Sequence, residues 1–178
     1  KRLRDRFRHV FGESAVATVE ESRVKYLAVG SKQPNSPTPC EPNLDRSLWE
    51  SDNIVAYDSE WQYPAITEQH AFLKIKEARA IPDGVIYVGF PWATLIDKVQ
   101  TKASDADQYL SIYEKFIQAI PDNAVTITVC QHVKAREFLN LFERAGIKHL
   151  FWSHATYSDI SGETDSSISF HAFPLYPV

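Results

Sequence analysis

Four short runs of β-branched and aromatic residues each stop at side chains that can donate, accept or stack. Ile54-Val55-Ala56-Tyr57 gives way to Asp58, Ser59, Glu60 and Trp61, and Val85-Ile86-Tyr87-Val88 to Gly89, Phe90, Pro91 and Trp92. The run from Ala124 to Val129 ends at Cys130, Gln131 and His132, and the run from Ile147 to Trp152 at Ser153, His154 and Thr156. A carboxylate or imidazole held there can take the proton of a reacting hydroxyl, which makes Asp58, Glu60 and His132 the candidate catalytic groups. Trp61, Trp92, Gln131, Ser153 and His154 are the candidate ligand contacts. Acids, imidazoles and indoles along one rim suit a polar, ring-shaped ligand. Each also has an ordinary use. Asp58 or Glu60 can cap the next turn, His132 can open a helix, His154 can sit in a solvated loop, and Trp61 and Trp92 can be packing residues.

Other chemistries have weaker support. His132, His154 and Asp58 could converge, but no H-x-x-x-H or C-x-x-C pair anchors a metal site, so none is expected. Cys130 and His132 would share a strand face if the strand continued; a buried thiol is the commoner use. The six glycines form neither G-x-G-x-x-G nor a phosphate loop, and there is no G-x-S-x-G elbow. A dinucleotide cofactor, a bound nucleoside triphosphate or a serine hydrolase elbow is therefore not expected.

These residues need elements to position them. The spacing predicts helices from Thr67 to about Arg79, after Pro91 (with Trp92, Leu95, Ile96 and Val99 on one face), over Leu110 to Ile120, and from Ala135 to Phe142, stopped at Gly146. A last strand is expected over Ile168 to Phe173. Strands separated by helices imply right-handed βαβ units and an α/β, Rossmann-like, three-layer domain with a mainly parallel sheet of about five or six strands. In such sheets ligands bind beyond the carboxyl ends of the strands. Nearer the start, Leu3, Phe7, Val10 and Phe11 mark a basic amphipathic helix over residues 1–12, Val24 to Val29 reads as a strand, and residues 31–43 as a proline-rich loop.

The 178 residues suit one domain, with 44% hydrophobic and 24% charged residues excluding wholesale disorder. No apolar run approaches the ~20 residues of a membrane span. Two cysteines, Cys40 and Cys130, imply a reducing, cytoplasmic setting. Residues 1–8 hold five cations against one acid, so a net charge of −4 leaves −8 on the remainder. An acidic body argues against nucleic acid as a partner, whereas the basic helix could touch the inner face of an anionic membrane. A chain without methionine, opening at Lys1 and closing on Phe173-Pro174-Leu175-Tyr176-Pro177-Val178, is expected to be a piece of a longer one with a domain after it.

Several stretches carry a family resemblance. Val125-Thr126-Ile127-Thr128-Val129-Cys130-Gln131-His132, the run from Leu141 to Thr156, Tyr87-Val88-Gly89-Phe90-Pro91-Trp92 and Phe173-Pro174-Leu175-Tyr176-Pro177 resemble bacterial polysaccharide-assembly proteins. The group named by that resemblance is the two-domain, GT-B glycosyltransferases of exostosin-like or capsule-synthesis type, over about residues 54–178. It implies the amino-terminal, acceptor-side half of an enzyme that transfers a sugar from a nucleotide sugar without a metal. The donor would be held largely by a carboxyl-terminal domain. Two alternatives stand beside it: a non-catalytic saccharide- or partner-binding module, and a small-molecule hydrolase or isomerase using the two histidines.

Overall fold

The computed structural model describes residues 47–78, 81–162 and 166–176. The expected basic helix, the strand from Val24 to Val29 and the proline-rich loop lie outside the described residues. A six-stranded sheet carries the fold, its strands following one another in chain order. They are β1 (Leu48–Ser51), β2 (Ile54–Tyr57), β3 (Val85–Gly89), β4 (Val125–Cys130), β5 (His149–Trp152) and β6 (Ser169–Ala172). All neighbouring pairs from β2 to β6 are parallel, and β1 alone runs antiparallel, against β2. This is the mainly parallel α/β architecture the strand and helix pattern predicts. Strand β1 was not anticipated. It pairs Ser51 with Ile54 across Asp52 and Asn53, a two-residue hairpin connection.

The helices are α1 (Thr67–Ala78), α2 (Trp92–Thr101), α3 (Ala106–Ile117), α4 (Leu139–Arg144), which follows a 3₁₀ turn at Ala135–Phe138, and α5 (Tyr157–Ser161). The last lies between β5 and β6, where no helix was expected. Thr156 caps it, donating from its hydroxyl and its N–H to Asp159 while Asp159 N–H donates back. Among the described residues no helix is long and apolar enough to cross a membrane.

Both faces of the sheet are covered, so the strands are apolar on successive positions rather than alternating. Val55, Tyr57, Ile86, Val88, Cys130, Leu150 and Trp152 face α2, α3 and α4, and Ile54, Ala56, Tyr87, Ile127, Val129 and Phe151 face α1. With strands in sequential order, a crossover over one face and a crossover over the other are of opposite hand. The expectation of uniformly right-handed units therefore fails at one of them. Small residues make room for α1: a Cβ on Gly89 would lie 2.9 Å from that of Ala56, with Phe72 at 3.5 Å.

Candidate functional site

At the end of β2 the backbone is tied before any side chain reaches solvent. Asp58 N–H donates to Ser47 O (2.8 Å), and Thr94 Oγ1 of α2 donates to Glu60 O (2.7 Å). Glu60 sits at φ +57, a left-handed conformation uncommon for a residue with a side chain. Held this way, the carboxylates of Asp58 and Glu60 are exposed. Between them and α1, Trp61 is half-buried. Its ring stacks on Phe72 (centroids 5.8 Å, 23° between planes) and its Nε1–H donates to Asp58 Oδ1 (3.0 Å). Two acids and one partly open indole thus share this corner.

Below the corner, a polar chain, buried at Glu68, Gln131 and His132 and half-open at Gln62 and Asp97, links the segment after β2 with α1, α2 and the end of β4. Glu68 Oε1 accepts from Gln131 N–H (3.1 Å) and Ala93 N–H (3.2 Å), and Glu68 N–H donates to Gln131 Oε1 (3.3 Å). Gln131 Nε2 donates to Ala65 O (2.6 Å) and Gln62 Oε1 (3.2 Å). Gln62 Nε2 donates to Asp97 Oδ2, and Asp97 Oδ1 lies 2.9 Å from His132 Nε2. His132 Nδ1 accepts from Lys134 N–H (3.1 Å), so the proton of the neutral ring belongs on Nε2, directed at Asp97. Burial pushes Glu68 up to about 8, against the backbone N–H groups of Gln131 and Ala93, which favour the ionised form.

Sequence reasoning missed Glu68, Gln62 and Asp97. Glu68 reads as an ordinary acid in a first helical turn and Asp97 as part of a solvated helix face. Neither sequence pattern reports a contact with a residue 63 or 35 positions away.

The named residues divide into four groups. Asp58, Glu60 and Trp61 meet at one corner. Gln131 and His132 belong to the chain beneath it, with Gln131 buried rather than presented to a ligand. Trp92 is not on the rim at all. It is fully buried, donates from Nε1 to Thr128 Oγ1 (2.8 Å) and packs against Phe142 (4.7 Å), because its place in the first turn of α2 turns it onto the sheet. His154 is exposed at the end of β5, and Ser153 Oγ is buried without a hydrogen-bond partner among the described residues. Trp152 joins this end to His132, donating from Nε1 to His132 O (2.8 Å), with its ring 6.4 Å from that of His154. Three strand spacings, roughly 14 Å, separate β2, which the acids follow, from β5, which His154 follows.

The cysteine–histidine pairing also fails. Cys130 is buried, its Sγ accepts from His132 N–H (3.4 Å), and the imidazole is turned to Asp97 instead. Burial pushes the Cys130 thiol far up, which disfavours the reactive thiolate. Among the described residues no three histidine, cysteine or acidic side chains come together to hold a metal.

The amino ends of α1 and α2, natural anion sites, are already engaged: Glu68 N–H faces Gln131, and Ala93 N–H faces the Glu68 carboxyl. This edge therefore offers proton acceptors and an aromatic face, not a diphosphate cradle. Comparison with family models, with curated proteins and with solved structures finds no match to this chain.

Proposed function

We propose that the carboxyl edge of the sheet is the acceptor side of a sugar-transfer site in surface polysaccharide synthesis. Asp58 or Glu60 takes the proton of an acceptor hydroxyl as its oxygen bonds to the anomeric carbon of a nucleotide-activated sugar. The carbon–oxygen bond to the nucleoside diphosphate breaks, and that group departs with the electron pair. Trp61 lies along a sugar face. The observation that carries this reading is the pairing of two exposed carboxylates and a half-open indole with helix amino ends already occupied by Glu68 and Gln131. Such an edge suits a neutral acceptor, and the nucleotide is bound elsewhere, in a carboxyl-terminal domain.

His132 acts here as a positioning residue. As a base it would have to give up the Lys134 N–H on Nδ1 or the Asp97 contact on Nε2.

The test is transfer by the full-length protein from a panel of nucleotide sugars. Asp58→Asn or Glu60→Gln is expected to lower turnover by at least ~10²-fold with an unchanged melting temperature, and His132→Ala by less. Near-normal transfer by both carboxylate variants would overturn the assignment. Saturable oligosaccharide binding with no transfer from any donor would establish instead a saccharide-binding module.

A further inference from the structure

At the opposite ends of the strands lies an open cleft of about 590 Å³, lined by Trp49, Ser51, Asp52, Lys76, Asp83 and Gly84. It falls where the β1–β2 turn, the last turn of α1 and the turn before β3 meet. That volume is within the ~300–1,000 Å³ of ordinary ligand clefts. One wall is aromatic: Trp49 meets Phe72 edge-on (6.0 Å, 73°), and Lys76 Nζ stands 5.0 Å from the Trp49 ring centre and 5.2 Å from that of Phe72. Cation–π attraction to two rings fixes the ammonium as a directed donor. The other walls carry the exposed carboxylates of Asp52 and Asp83 and the hydroxyl of Ser51.

We propose that this cleft is a binding site for a neutral, polyhydroxylated ligand, a saccharide, independent of the carboxyl edge. The lining selects by charge. An anion entering beside Lys76 meets two carboxylates, and a cation drawn to those acids or to the indole meets the ammonium already over it. A hydroxyl group both donates and accepts, so one polyol satisfies Asp52, Asp83 and Lys76 together, with Trp49 beside it. The site does not depend on sugar transfer elsewhere, and the two readings fail separately.

The test is nuclear magnetic resonance titration of the protein with maltose, cellobiose and lactose, with inorganic phosphate and ethylamine as anionic and cationic probes. The Trp49 indole N–H signal, assigned by its loss in Trp49→Phe, is expected to shift saturably with a disaccharide at a Kd on the order of 1–10 mM. Asp83→Ala, at an exposed turn, is expected to weaken binding by roughly fivefold or more. Asp58→Asn and Glu60→Gln leave that titration unchanged, while one of them lowers transfer by at least ~10²-fold. A Trp49 signal that moves only with phosphate, moves only with ethylamine, or moves with none of the probes overturns the proposal. So does a disaccharide shift that Asp83→Ala leaves intact.

Discussion

At the carboxyl ends of β2, β3 and β4 most polar side chains turn inward and bond one another; at the amino ends they face an open cleft. Glu68, Gln131, Gln62, Asp97 and His132 form one continuous chain across four elements. Asp52, Asp83 and Lys76 line a cavity instead. The difference separates two ways of using polarity. An inward-turned network fixes backbone geometry, and only what it leaves above it, here Asp58, Glu60 and part of Trp61, stays open to solvent. An open polar wall fixes little and is free to select what enters. The carboxyl edge should therefore be sensitive in stability, and the amino edge in binding.

The largest effect is expected from Glu68→Ala, which strips the acceptor from two buried amides, Ala93 N–H and Gln131 N–H. Each unsatisfied group costs ~1–3 kcal/mol, so the loss should be roughly 2–5 kcal/mol in denaturant unfolding. A loss below ~1 kcal/mol would mean that the network is ornamental and the contrast between the edges is false. Next comes Gly89→Ala, where the new Cβ meets Ala56 Cβ at 2.9 Å. That atom is fixed to a neighbouring strand and cannot swing aside, so overpacking should cost ~1–3 kcal/mol.

Both predictions turn on features the sequence displays unevenly. The parallel sheet and the principal helices were legible because short β-branched and aromatic runs bounded by turn residues, Ile54-Val55-Ala56-Tyr57 and Val85-Ile86-Tyr87-Val88, alternate with longer stretches at the helical period such as the Trp92/Leu95/Ile96 stripe. The hairpin at Asp52 and Asn53 was legible too, though unread, since Trp49-Glu50-Ser51 precedes a polar pair. The site was half legible. Asp58, Glu60 and Trp61 follow from being next after a strand. Trp92, equally next after a strand, is core because the first helical turn rotates it inward. Glu68 and Asp97 were not legible, since their partners are brought to them only by the fold.

A milder change at Glu68 sharpens the comparison through pH. Below its ordinary value of 4.5 the carboxyl is protonated in both folded and unfolded chains. As pH rises toward about 8, the unfolded chain loses the proton first, so stability falls across that window and levels off above it. Glu68→Gln keeps an oxygen for the two amides and carries no titrating proton. Thermal melts should show the variant gaining on the native chain from about pH 5 to about pH 8. A constant difference over that range would mean that Glu68 ionises normally, with water reaching the network.

The smallest expected effect is at the other edge. Asp52 and Asp83 are exposed and lie in turns, and among the described residues neither is joined to another side chain by a hydrogen bond or ion pair. Replacing an exposed carboxylate by its amide there removes a charge but no buried partner, so Asp52→Asn and Asp83→Asn should each alter unfolding free energy by no more than ~0.5 kcal/mol. The sum of the two should be additive within similar error, since no shared network couples them. A loss above ~1 kcal/mol would place the acids in the packing of the β1–β2 and α1–β3 turns. The cleft would then be a structural seam, and its charges would no longer be available to choose a ligand.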